Sequence, residues 1–258
     1  SQRIFESGSG LVHRHYRGGK IFLELIQHGQ KRADEQYQAA AIWGETVMNH
    51  PFSQKATHAL NFLTYALEVD LMPAAAYAKE QSASGRVSTC MDFYLLNPRP
   101  HQVLLPPAYE QQLRTLYQQL PAFRDLRIAD GLPASASVSD IESSYFSFAQ
   151  VSRLTVRRIG ADFEDIFYRT HDNFLEQGAE VLQVWLRLTD PAVGWCVDQL
   201  RENGYFFGGL LPRWFDDDGL LMQWTLDRPH WKNMNVVFGD GQKVVEMSRS
   251  DWEAVQGR

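Results

Sequence analysis

The sequence predicts an α/β protein in which helices flank a mixed sheet. Apolar strand-like runs alternate along the chain with amphipathic helix-like segments, and this alternation is typical of strand–helix–strand units. The same order of elements occurs twice, in segments that begin roughly 140 residues apart. The chain has 258 residues, of which 44% are apolar, so it can bury one large core or two ordinary cores.

The first half is predicted to alternate three strands with two helices. Residues 3–12 form a strand with several small residues near its end, and residues 20 to about 37 form a helix with one apolar face. Residues 40–47 form a buried strand, and residues 51–63 form a helix whose proline suits its first turn. A further strand follows at 86–96.

The turn between the first strand and the first helix has the composition of a phosphate-binding loop. It reads Tyr16-Arg17-Gly18-Gly19-Lys20. Two glycines let consecutive backbone N–H groups point into one small concavity, and the arginine and lysine add positive charge at the start of the helix. The alternative is a glycine-containing helix start that binds no ligand. A pyrophosphate-bearing cofactor is the functional prediction from this turn.

The second half repeats the order of the first with few shared residues. Strands are predicted at 144–158, 180–188 and 219–226, and helices are predicted at 162–177 and 191–203. The order is again strand, turn, helix, strand, helix, strand.

Corresponding residues of the two halves lie at nearly constant offsets. Pro191 follows Pro51 by 140 positions (191 − 51), and Gly204 follows Asn61 by 143 positions (204 − 61). We therefore expect a pseudo-duplication of one α/β unit. The second unit has lost the phosphate chemistry, because Asp162 and neighbouring carboxylates crowd its helix start and would repel a pyrophosphate.

The segment between the halves has a different composition. Residues 97–105 are proline-rich and extended, residues 107–120 form a helix, and the serine-rich residues 130–144 form an exposed loop. We place the domain boundary near residue 108, which gives units at 1–107 and 108–258.

The Tyr16–Lys20 turn is followed, after the second predicted strand, by Asn49 and Ser53. Together these residues resemble the pyrophosphate loop and the next strand–helix segment of the GCN5-related N-acetyltransferase (GNAT) superfamily, over roughly residues 3–96. The resemblance implies the acyl-CoA N-acyltransferase fold in tandem halves, of which the second is a degenerate GNAT-like copy. Acetyl-CoA or another acyl-CoA is the cofactor that it implies.

The cofactor site implied by the resemblance combines the end of the first strand, the turn and the segment after the second strand. Its residues are Gly10, Leu11, Val12, Arg17, Gly18, Gly19, Lys20, Asn49 and Ser53.

The chain departs from the family's pattern in three ways. Lys20 and Phe22 stand where the loop usually has small residues, and Thr57 occupies the position of the tyrosine that often protonates the departing thiolate. Few residues precede Val12, so the first half lacks the usual N-terminal strands of a full GNAT domain. We therefore expect an upstream segment, the second half or a protein partner to complete the first half.

Without that tyrosine, the proton for the thiolate must come from another group. His50 and His58 are the nearest titrating side chains in the sequence, and Glu45 at the end of the central strand is a candidate general base. Each residue also has a structural interpretation. Glu45 is then a paired sheet residue, and His50 belongs to the start of a helix.

Composition excludes several classes of function. The net charge of −6 and the pI near 5.7 argue against a nucleic-acid surface, which needs clustered lysine and arginine. No apolar run is long enough to cross a bilayer, so we expect a soluble protein without a membrane partner. Cys90 and Cys196 provide neither a disulfide framework nor the spacing of a metal site, and they favour a reducing, cytoplasmic location.

Two functions follow from these residues. The first is an acyl-CoA-dependent N-acyltransferase acting on an unidentified amine, which positions its reactants and polarises the thioester with strand N–H groups. The alternative is a non-catalytic GNAT-like module that senses acyl-CoA or binds a protein partner. The missing tyrosine and the degenerate second copy favour this alternative.

Overall fold

A computed structural model of the chain describes residues 3–8, 10–77 and 85–257. The strands of the described part are β1 (Ile4–Glu6), β2 (Ala41–Val47), β3 (Leu63–Pro73), β4 (Arg86–Leu95), β5 (His101–Leu105), β6 (Arg124–Ile128), β7 (Asp140–Phe146), β8 (Val151–Arg158), β9 (Val181–Arg187), β10 (Phe206–Leu211) and β11 (Gly219–Thr225). Its α-helices are α1 (Ile21–Glu35), α2 (Phe52–His58), α3 (Glu110–Tyr117), α4 (Phe163–Glu176), α5 (Val193–Glu202) and α6 (Gly239–Gln256). The predicted class, a mixed sheet with flanking helices, is confirmed.

Nine of the described strands form one curled mixed sheet in the order β1-β2-β4-β3-β10-β11-β9-β8-β7. In the first half β1 and β2 are parallel, whereas β4 is antiparallel to both β2 and β3. In the second half β8 and β9 are parallel, whereas β11 is antiparallel to both β9 and β10. The order β1-β2-β4-β3 thus corresponds to β8-β9-β11-β10, and the same arrangement of strands occurs once in each half.

The two four-stranded arrangements join through corresponding strands. β3 and β10 are antiparallel neighbours, and Ala66 lies opposite Gly209. Helix α6 packs across this junction against both strands. A single cluster of buried apolar residues contains side chains of both halves, among them Met91 and Leu221. The domain boundary near residue 108 stays a prediction.

Two predictions in the middle of the chain are wrong. The single strand at 144–158 is a hairpin of β7 and β8, which are antiparallel and joined by a turn at 147–150. The exposed loop at 130–144 ends earlier, because β7 begins at Asp140. Most side chains of β7 are exposed, so its sequence lacks the apolar alternation that marks a half-buried strand.

Most of the other predicted elements lie within a few residues of their predicted bounds, with two differences near the predicted cofactor site, whereas β3, β6, β10 and α6 were not predicted. The first strand, predicted at 3–12, is only the three-residue β1. The helix predicted at 51–63 ends at His58, and Asn61 adopts a positive φ of 63° that leads the chain into β3. None of the described helices has both the length and the apolar character needed to cross a membrane.

Candidate functional site

The parallel strands β1 and β2 separate at the centre of the first half. Their last hydrogen bond in the described part runs from Ser7 N to Trp43 O, 2.7 Å apart. Gly44 permits this close approach, because a Cβ atom there would lie 2.9 Å from Ser7 O. Beyond this point Gly8 and Gly10 belong to no strand, while β2 continues to Val47. The result is an opening between two parallel strands.

A cavity of about 720 Å³ occupies this opening. Its walls come from both strands and from α1 and α2, and they include Glu6, Gly44, Glu45, Ser53 and Thr57. The cavity is large enough for an extended small-molecule ligand.

The residues of the predicted phosphate loop are exposed and form the turn that precedes α1. A 3₁₀ turn at Arg14–Tyr16 leads into Arg17, whose Nε donates to Val12 O at 3.0 Å. Gly18 has a φ of +85°, a conformation that favours glycine, and α1 then begins at Ile21. The first N–H groups of α1 therefore face the loop without a side-chain cap.

A second cavity, of about 390 Å³, lies against this loop. It shares Gly10, Phe22 and Ser53 with the larger cavity, so the two adjoin. Of the predicted site residues, the structure brings together at this second cavity Gly10, Leu11, Val12, Arg17, Gly18, Gly19, His50 and Ser53.

Two polar atoms in these walls are available to a ligand. Ser53 Oγ and His50 Nδ1 are buried, and neither has a hydrogen-bond partner among the residues that the structure describes. A buried polar atom without a partner is unfavourable by about 1–3 kcal/mol, so a ligand that bonds to it recovers this free energy.

Three predicted site residues lie outside the cavities at the loop and the opening. Lys20 precedes α1 with an exposed side chain, and Asn49 is half-buried between β2 and α2. His58 lies at the end of α2, where its ring stacks on that of Phe238 with the centroids 3.6 Å apart. The structure therefore gives His58 a packing contact and does not bring it to either cavity.

Glu45 connects the opening to a third cavity, of about 520 Å³. This third cavity lies between β3 and the turn that joins β7 to β8, and Leu71, Phe148 and Arg153 are among its walls. The three cavities thus follow one another from the phosphate loop, through the opening between the strands, to the far side of Glu45.

The pKa of Glu45 is raised to about 8. The largest cause is the negative charge of Glu68, and burial acts in the same direction. Arg153 lowers this pKa, but less strongly. A hydrogen bond to Glu68 also raises this pKa, because it stabilises the protonated form of Glu45. The charge of Glu68 therefore favours the protonated form of Glu45, although Glu45 itself is exposed to solvent.

Glu68 is the member of the pair that is surrounded by hydrogen-bond donors. Its carboxylate is buried and accepts hydrogen bonds from Arg153 (2.9 Å), Gln183 (2.9 Å) and Thr89 (3.2 Å). Donors of this kind stabilise the charged form of a carboxyl group. Glu45 has more contact with solvent than Glu68.

The second half supplies two of these donors. Arg153 lies on β8 and Gln183 on β9, and the Arg153 guanidinium stacks 3.9 Å above the ring of Trp185 while its Nε donates to Gln183. These residues do not occur in any local motif with Glu45 or Glu68, so no sequence pattern could have identified them. Only the closing of the sheet brings them together.

A buried aspartate lies behind the opening. Thr46 and Thr57, which line the 720 Å³ cavity, both donate to Asp92 Oδ2, at 2.8 and 2.9 Å. Thr64 donates to Asp92 Oδ1 at 2.6 Å, and burial raises the pKa of Asp92 to about 6. An ionised carboxylate only accepts hydrogen bonds, so Thr46 and Thr57 act only as acceptors toward a ligand.

Comparison of the chain with protein-family models, with curated proteins and with solved structures found no match. The function must therefore be argued from the site.

Proposed function

We propose that this protein is an acyl-CoA-dependent N-acyltransferase. One observation carries the proposal: a phosphate-type loop, an opening between parallel strands and a carboxyl group that ionises just above neutral pH lie in sequence along three adjoining cavities. A long ligand with a diphosphate at one end and a reactive thioester at the other fits this order.

The diphosphate of acetyl-CoA or another acyl-CoA binds at the loop. The N–H groups at the start of α1 point toward it, and the helix dipole favours its negative charge. Arg17 lines the cavity at this end and adds a charged donor, and Lys20 lies exposed beside it. Gly18 and Gly19 have open space around them, so a phosphate meets no side chain there.

The pantetheine arm passes through the opening between β1 and β2. Beyond Trp43 the described part of β2 has no neighbouring strand on this side, so its backbone groups can bond to the amides of the arm as a further strand would. Thr46 and Thr57 accept hydrogen bonds from the arm's N–H groups. The thioester then lies beside Glu45.

The reaction needs a base at this position. The amine nitrogen attacks the thioester carbonyl, and Glu45 takes the proton that the nitrogen loses. The tetrahedral intermediate then releases the thiolate, which takes a proton from water. A general base works best when its pKa lies near the working pH, and Glu45 meets this condition.

The second candidate function is an acyl-CoA sensor or a partner-binding module that performs no transfer. Thr57 favours it, because the hydroxyl at the position of the family's tyrosine already donates to Asp92 and does not protonate a thiolate. In this alternative the ligand and its site are unchanged, but no acyl group is transferred.

Two measurements on the purified protein test the proposal. The melting temperature should rise with CoA, acetyl-CoA and longer acyl-CoAs, because ligand binding to the folded state stabilises it. Thiol release from acetyl-CoA should then depend on an added amine. Stabilisation without amine-dependent thiol release would favour the acyl-CoA sensor over the enzyme. If no acyl-CoA stabilises the protein, the enzyme and the acyl-CoA sensor are both overturned.

A further inference from the structure

We propose that the 520 Å³ cavity beyond Glu45 binds the acceptor, and that this acceptor is a primary amine with an aromatic or branched apolar body and no carboxylate. The inference rests on the proposed function and names the class of its second substrate. It follows from the walls of the cavity, from its charges and from the contacts that hold it together.

The walls are apolar. Leu71, Ala149 and Val151 belong to one small buried cluster at its base, against which Met72 packs. Phe148, in the turn between β7 and β8, lines the cavity with 66% of its surface exposed. An apolar body that covers these side chains removes their surface, and its own, from water.

The charges select an amine. Among the residues of the described part that line this cavity, Glu45 and Arg153 are the charged ones. Arg153 already pairs with Glu68 at 2.9 Å and stacks on Trp185, so its charge is compensated. Glu45, once ionised, accepts a hydrogen bond from the N–H of the neutral amine at the inner end of the cavity and can then take its proton after the attack, whereas a carboxylate there is repelled by Glu45 and finds no uncompensated cation.

The cavity is held in shape by Arg86. Its NH2 group donates to Leu71 O at 3.1 Å on one wall and to Ala149 O on the other, and its NH1 group pairs with Glu180 at 3.0 Å. The strand and the turn that face each other are therefore linked through one buried guanidinium. Such links favour a preformed binding site.

Acetyl transfer to four matched amines tests the class of acceptor. Phenethylamine should have a kcat/KM roughly tenfold or more above that of ethylamine, because a buried phenyl ring removes about 100 Å² of apolar surface from water. Phenylalanine should fall at least tenfold below phenethylamine, and phenylalaninamide, which lacks the carboxylate, should recover most of the loss. Equal values for ethylamine, phenylalanine and phenethylamine would overturn the inference.

A variant of Phe148 tests whether the acceptor binds in this cavity. Phe148→Ala should raise the KM for phenethylamine about fivefold or more, while the KM values for ethylamine and acetyl-CoA stay unchanged. Phe123→Ala is the matched control, because Phe123 is 74% exposed and lies outside this cavity. Equal effects of the two variants on phenethylamine would contradict the placement.

Equilibrium binding of phenethylamine separates this inference from the proposed function. If acetyl transfer occurs to another class of amine and phenethylamine does not bind, the inference fails and the function stands. If acyl-CoA does not bind at all, the function fails. If acyl-CoA does not bind but phenethylamine does, and Phe148→Ala weakens phenethylamine binding, the proposed ligand class of the cavity is still supported. If phenethylamine does not bind either, the proposed ligand class fails as well.

Discussion

Replacing Glu45 with glutamine should abolish the base of the reaction while preserving the shape of the site. Glutamine has the same volume and its amide can donate to Glu68, so the hydrogen bond between the two side chains persists. The proton of the attacking amine then has no carboxylate to receive it. We expect kcat to fall by about 10²-fold or more, with little change in the affinity for acetyl-CoA.

The pH dependence follows from the pKa of about 8. Because this pKa is raised, the ionised fraction of Glu45 increases from pH 7 to pH 8, so kcat/KM should rise over this range. The assay should use phenylhydrazine as the acceptor, because its reactive nitrogen is already neutral across this range. The rise in kcat/KM then reflects the ionisation of the enzyme and not the ionisation of the amine.

A change at Glu68 separates a base from a structural residue. Glu68→Gln removes the charge that contributes most to the raised pKa of Glu45, so the pH profile should move to lower pH by roughly one unit or more. Circular dichroism must first show that this variant is folded, since Glu68 is buried. Glu142→Gln, at an exposed carboxylate on β7, is the matched control. A Glu45→Gln enzyme with the parent's turnover and pH profile would refute the reasoning.

Three further predictions concern the loop, the buried aspartate and the stacked histidine. Replacing both Arg17 and Lys20 with alanine should weaken acyl-CoA binding by at least tenfold in calorimetry, since charged donors to phosphate contribute about 1.5–3 kcal/mol each. Lys31→Ala is the control and should not weaken this binding. The pKa of Asp92 is higher in the folded protein than in the unfolded chain, so its contribution to stability decreases by about 2 kcal/mol as the pH rises from 4 to 7. Asp92→Asn should therefore show a smaller loss of melting temperature from pH 5 to pH 7 than the parent, and an equal loss would contradict the assignment. His58→Ala should lower the melting temperature and leave kcat unchanged, because the ring stacks on Phe238. A lower kcat at constant acyl-CoA affinity would instead indicate that His58 takes part in the reaction.

Local sequence patterns predicted the parts of the candidate site that are built from residues close together in the chain. The glycines and basic residues at 17–20 predicted the loop, and the apolar face of the following helix predicted α1 to within two residues at each end. The small residues before Val12 predicted an open strand edge. Its extent was overestimated, because β1 pairs with β2 over only Ile4–Glu6 before the two strands separate.

Contacts between distant parts of the chain were not predictable in this way. Glu68 and Arg153 are 85 positions apart, and their ion pair depends on the meeting of the two halves in one sheet. The hairpin of β7 and β8 was missed because β7 is largely exposed and shows no apolar alternation. Both omissions concern the 520 Å³ cavity on the far side of Glu45, so the sequence predicted the residues around the loop better than the residues around that cavity.

The most direct test of the proposed function is a crystal structure of the protein with bound CoA. We expect the diphosphate against Gly18 and Gly19, the pantetheine arm between β1 and β2, and the sulfur beside Gly44 and Glu45. CoA bound at another surface, or bound at the loop with its arm outside the opening, would contradict the account.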